Sequence, residues 1–131
     1  MKIYLAARYG RRAELVGYRE TLRELGHVVT SRWLDTAVGD VEPESTAEHA
    51  ITDITDIIAA DTFVAFTEAP DSTFARGGRH VEFGYAMPSL MRKHYPEIHV
   101  IGPRENVFHL LPEITQHDSF AEFLTHINHQ S

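Results

Sequence analysis

The chain has 131 residues, 43% of them hydrophobic, a formal net charge of -7 and no cysteine. That size suits one domain, residues 1–131, burying roughly two-thirds of its unfolded surface, while the acidic balance argues against a nucleic-acid polymer or an anionic membrane as partner. No apolar run approaches the roughly 20 residues of a membrane span, the first one stops at Arg8, too short for a signal-peptide core, and without thiols there are no disulfides, thiolate metal sites or cysteine nucleophiles, so a cytoplasmic protein is expected.

Residues 2–6 read as a first buried strand. Residues 11–25 follow as a helix, with Leu15, Tyr18, Leu22 and Leu25 at helical spacing and Gly26 as its stop. Residues 27–33 alternate as a second strand, and 35–43, with Gly39 and several acids, form a loop. Residues 44–60 predict a helix with Ala47, Ala50, Ile51, Ile54, Ile57 and Ile58 on its apolar face. Residues 62–66 are a short, continuously apolar strand of the kind buried on both faces of a parallel sheet.

A loop at 67–78 leads into a helix from 79 to about 87, interrupted or re-angled at Pro88. Residues 98–101 form a fourth strand, 102–103 a turn, 105–111 a helical turn, 114–116 an edge strand and 119–127 a last helix behind Asp118. This alternation predicts an α/β three-layer sandwich, with a five-stranded, mostly parallel sheet and helices on both faces. Ligands of such sheets bind at the carboxyl ends of the strands. The loops 7–12, 33–40, 67–78 and 102–109 all open at that edge and can share one crevice.

The densest signal is Gly77-Gly78-Arg79-His80-Val81-Glu82-Phe83-Gly84-Tyr85-Ala86. It places a carboxylate, Glu82, near a helix start behind two glycines, with small residues after it that suit close approach of backbone to a ligand. The helix dipole and neighbouring arginines are expected to keep Glu82 ionised, as a nucleophile requires. A glutamate that only complements the dipole is the competing account. Tyr4, in a buried strand, needs a partner for its hydroxyl, and a carboxylate at a neighbouring strand end would supply one; a plain core position is the alternative. Asp61 ends a helix, an unfavourable place for a negative charge unless it has another task, a turn or cap included.

Charge distribution adds to this. Between residues 33 and 75 there is no Lys or Arg and there are ten Asp or Glu, whereas Arg8, Arg11 and Arg12, then Arg76 and Arg79, cluster near glycines. Two small basic spots on an acidic chain suit one compact anion, although arginines also decorate helix starts. Trp33 and Phe74 are available to stack on a base or to pack in the core. The nine histidines are scattered, only His126 and His129 having ligand-like spacing, and no metal is assigned.

Tyr4-Leu5-Ala6, Ala60-Asp61-Thr62-Phe63-Val64-Ala65 and the Gly77 to Ala86 segment together resemble the nucleoside 2-deoxyribosyltransferase superfamily, which includes the deoxynucleoside 5′-monophosphate N-glycosidases. The resemblance runs from Lys2 to about Pro112 and implies a flavodoxin-like sheet, no cofactor, and a nucleoside or nucleotide as small-molecule substrate. It implies Glu82 as the nucleophile that attacks the anomeric carbon, Tyr4 as the hydroxyl that orients it and Asp61 as the carboxylate that engages the base. Transferases of the family commonly carry an aspartate six residues before the nucleophile; here that position is Arg76, and Asp71 has the wrong spacing to replace it. Arg76 with the Gly77 and Gly78 amides, and Arg8 or Arg11 opposite, would instead cradle a 5′-phosphate beside Arg79. Asn106 and His109 fall where family members complete a neighbour's site, which implies a homodimer or higher homo-oligomer. A catalytically silent nucleotide-binding module of the same fold is the alternative, and a flavin carrier is disfavoured because the first loop lacks a Ser/Thr-rich phosphate loop.

Overall fold

The computed structural model describes residues 1–35, 47–69, 78–93 and 96–129, with the side chains of 78, 79 and 89–93 outside that description. A five-stranded sheet runs in the order β2-β1-β3-β4-β5, built from β1 (Lys2–Ala6), β2 (Val28–Val29), β3 (Thr62–Phe66), β4 (Glu97–Ile101) and β5 (Ile114–His117). Every pairing is parallel, with Tyr4 opposite Phe63 and Val64 opposite His99. This strand order and the helices on both faces make a flavodoxin-like three-layer α/β fold, in which the chain changes direction between β1 and β3.

Alternation along the strands assigns the two cores. Tyr4, Ala6, Phe63, Ala65, Ile98 and Val100 point to one face and meet α2 (Ala47–Ile58) and α3 (Gly78–Lys93) through Ile57, Phe83 and Ala86. Ile3, Leu5, Val64, Phe66 and Ile101 point to the other and meet α1 (Arg12–Glu24) and α4 (Phe120–Asn128) through Leu15, Leu22, Phe123 and Ile127. β3 is buried along its whole length, as its unbroken apolar run requires. Ser119 caps α4 by accepting from the Glu122 N–H, and Gly26, at φ 91, ends α1 as a left-handed residue.

Three expectations change. The second strand covers only Val28–Val29, because the Ser31 hydroxyl accepts the Leu5 N–H in place of a ladder carbonyl and the chain turns into a 3-10 helix at Arg32–Asp35. The third helix does not break at Pro88 but continues to Lys93. Pro88 deprives the Gly84 carbonyl of its donor, yet both residues are exposed, so water can serve that carbonyl. Finally, α2 does not bury all its isoleucines: Ile51 and Ile58 are exposed, while Asp56 is buried beside Ile57.

Candidate active site

Tyr4 sits fully buried in β1 with its ring stacked on Phe63, centroids 5.6 Å apart, so its hydroxyl has no route to water and must find a protein acceptor. It donates to the Glu82 carboxylate. α3 supplies Glu82 one turn in from Gly78, and Phe83 beside it anchors that turn by packing edge-on to Phe63 at 6.2 Å. Two residues 78 apart in sequence are thus joined at the point where the sheet changes direction.

Burial raises the Glu82 carboxyl to about 7, with the negative charge of Asp53 pushing the same way and the Tyr4 hydrogen bond opposing. The expectation that helix dipole and arginines would hold Glu82 ionised is therefore corrected: its carboxylate turns into the core instead of toward solvent, and among the described residues the charge that perturbs it is Asp53. Burial also holds the Tyr4 phenol well above its usual range, with Glu82 and Asp53 adding to the effect. Asp53 itself is raised to about 6, chiefly by burial and then by Asp56. Asp53 thus lies within electrostatic reach of both Glu82 and Tyr4, a condition that favours at least one bound proton near neutrality.

Asp53 was not singled out by sequence. The signal was present: Asp53 and Asp56 lie three apart in an isoleucine-rich helix, hence on one face. Asp56 accepts from the Arg32 backbone N–H at 2.9 Å and from its guanidinium at 2.8 Å, which ties the 3-10 turn after β2 to α2.

Asp61 is not brought to this pocket. It lies at the amino edge of the sheet, where its carboxylate accepts from the Lys2 N–H at 3.1 Å and the Thr62 hydroxyl at 2.8 Å. The β3 strand separates it from the carboxyl edge, which is why a residue preceding a strand cannot share a crevice with residues following one.

Two of the arginines after β1, Arg8 and Arg11, are committed to carboxylates. Arg8 Nε reaches Glu68 at 2.7 Å; Arg11 Nη1 reaches the other Glu68 oxygen at 3.0 Å and the Thr67 carbonyl at 3.1 Å, while its remaining edge holds Glu14. Glu68 in turn donates its backbone N–H to Glu105 at 3.0 Å. Glu105 stands 3.5 Å from His80, and its own N–H donates to His109 Nδ1. Nothing local in the sequence marks Glu68, whose arginine partners lie 57 and 60 residues away, or Glu105, 37 residues from Glu68.

His109 is buried against the Phe83 ring of its own chain, 4.9 Å between centroids, and Asn106 accepts from the Phe108 N–H to cap the 3-10 turn Val107–Leu110. Both side chains thus make contacts within their own chain. Trp33 donates from its indole to the Leu5 carbonyl at 2.8 Å and lies 6.2 Å from the Tyr9 ring, so it lines the carboxyl edge beside β1 while packing on the core. Gly78 opens α3 and Arg79 follows it. Arg76, Gly77, Phe74 and Asp71 lie outside the described residues.

No protein-family model matches the chain, and no curated protein sequence does either. Among solved structures, the chain is similar to the Clostridium botulinum CMP N-glycosidase BcmB, with a TM-score of 0.60 and 20% identity over 98% of each chain. The likeness is one of fold over essentially the full length. No helix among the described residues is long and apolar enough to cross a membrane.

Proposed function

We propose that the chain cleaves or transfers the N-glycosidic bond of a 2′-deoxynucleoside or its 5′-monophosphate, as a member of the nucleoside 2-deoxyribosyltransferase superfamily, with Glu82 as nucleophile. The observation that carries the reading is the Tyr4 hydroxyl donating to the Glu82 carboxylate in a desolvated pocket at the sheet's switch point. The fold shared with an N-glycosidase supports it.

In this mechanism the Tyr4 hydrogen bond fixes the rotamer of Glu82 and favours its ionised form against burial. The carboxylate oxygen bonds to C1′ as the C1′–N bond breaks, and the bonding pair leaves with the base nitrogen. The base nitrogen takes up a proton from solvent or a nearby acid as it leaves; Asp53, raised only to about 6 while Glu82 is raised to about 7, ionises first and acts on Glu82 as a repelling charge. Water, or a second base, then attacks C1′ of the glycosyl-enzyme, the Glu82–C1′ bond breaks, and the carboxylate is restored. The low dielectric that costs Glu82 its charge in the resting protein strengthens its attraction to the oxocarbenium-like transition state.

The test is incubation with a panel of 2′-deoxynucleosides and their 5′-monophosphates, with and without an acceptor base, following base release by chromatography. Base release by the wild type, its loss in Glu82→Ala and a deoxyribosyl adduct on Glu82 by mass spectrometry are expected. Thermal stabilisation by these ligands without turnover would instead support the silent binding module.

A further inference from the structure

Glu68 bears on which of those substrates the crevice accepts. It lies two residues past the end of β3, as Arg8 lies two past the end of β1, and the register that sets Ala6 opposite Ala65 brings both to the carboxyl edge of the sheet, where ligands of such folds bind. There one carboxylate is held by two guanidinium groups, an oxygen to each, at 2.7 and 3.0 Å, with only 11% of the Glu68 side chain exposed. The Glu68 backbone is fixed as well, through its N–H to Glu105. Paired arginines reaching one carboxylate from two sides present the same donor geometry that binds a phosphate.

We infer that Glu68 is a specificity-determining residue: an internal counter-anion seated between Arg8 and Arg11 that competes with a substrate 5′-phosphate and tilts the crevice toward the unphosphorylated nucleoside. This rests on the glycosidase reading for the identity of the substrate, though not for the anion competition itself. A phosphate entering beside Glu68 meets a like charge already neutralising both arginines, so it must either displace a partly buried ion pair or be repelled. A nucleoside meets neither obstacle. The Arg11 guanidinium is engaged by Glu68, Thr67 and Glu14 together, so an incoming anion must displace one of these acceptors.

The experiment compares wild type with Glu68→Gln, which keeps an oxygen for the arginines but removes the charge. Two quantities are read: the ratio of kcat/KM for a 2′-deoxynucleoside over its own 5′-monophosphate, and the Kd of inorganic phosphate by calorimetry, which needs no turnover. In Glu68→Gln the ratio is expected to move toward the monophosphate by roughly tenfold or more, with phosphate binding tightened to a similar degree. Glu20→Gln, which removes an equal charge from the exposed side of α1, is expected to leave both within about twofold. Glu68→Asp, charged but one methylene shorter, shifts in the same direction by less and carries the test if Glu68→Gln does not fold. Both quantities unchanged in a folded Glu68 variant, or an equal shift in Glu20→Gln, overturns the inference. Absence of turnover in the wild type defeats the glycosidase reading, and the phosphate measurement then decides the role of Glu68 alone.

Discussion

Glu82 faces opposed demands, since attack on carbon needs its charge and burial resists that charge. With the carboxyl at about 7, activity governed by its ionised form should rise with pH through an inflection near 7, read from kcat/KM between pH 5 and 9. A flat profile across that range would contradict the assignment. Tyr4→Phe removes the hydrogen bond that lowers the Glu82 value, so it should move the inflection upward and reduce kcat roughly ten- to a hundredfold. The same shift has a stability counterpart. Because the folded value lies above the ordinary 4.5, the contribution of the buried neutral acid is full below pH 4.5 and lost as pH rises through about 7. That difference is on the order of 3 kcal/mol. Glu82→Gln, which still accepts from Tyr4, should therefore be more stable than wild type at pH 8 and no more stable at pH 4.5, by urea denaturation, while losing activity. An equal offset at both pH values would show that charge burial is not the cause.

Elements carry these groups into place, and their turns tolerate little change. Gly102, at φ 111 just after β4, would set an added Cβ 2.5 Å from the Thr67 hydroxyl oxygen and 3.3 Å from its carbonyl, directly behind Glu68. Gly102→Ala should cost roughly 1–3 kcal/mol from backbone strain and crowding, measured by urea denaturation, and should lower activity by displacing the Thr67–Glu68 corner. A neutral result would mean that the corner yields. α2 shows where sequence reasoning stopped. Its isoleucine periodicity pointed Ile51 and Ile58 inward, yet Asp56 takes part of the buried face, where it holds Arg32, and Asp53 lies half-buried within electrostatic reach of Tyr4 and Glu82. Apolar periodicity locates a buried face only when the core behind it is apolar, and here the helix lies over a polar pocket. Strands β1, β3 and β4 were legible since continuous apolar runs have few other uses. The short β2 was not, because the Ser31 hydroxyl takes over from the ladder.

Across the whole molecule, a second buried titratable group sets an opposite pH dependence. His99 on β4 is fully buried, its Nδ1 is 2.9 Å from His117 Nε2 on β5, and the His126 ring of α4 packs edge-on against both at 5.5 and 5.2 Å. Its Nε2 is buried without a hydrogen-bond partner. Burial, and then the two neighbouring imidazoles, lower His99 to about 3. A depressed folded value contributes stability that is present above pH 6.5 and lost as pH falls toward 3, so the histidines favour high pH where Glu82 and Asp53 favour low. His99→Leu should move the acid-unfolding midpoint to lower pH, followed by fluorescence of the single tryptophan, Trp33; an unchanged midpoint would place acid sensitivity elsewhere. The sequence by itself determined the alternation of strands and helices, the carboxyl-edge crevice that such alternation implies, and the local marks on Tyr4 and Glu82, because these follow from periodicity and turn chemistry within a few residues. Only the tertiary structure decided that Asp53 and not Asp61 lies within electrostatic reach of Glu82, that Glu68 occupies Arg8 and Arg11, and that burial raises Glu82. Ion pairing and desolvation depend on distances between segments remote in sequence, and packing alone sets those distances.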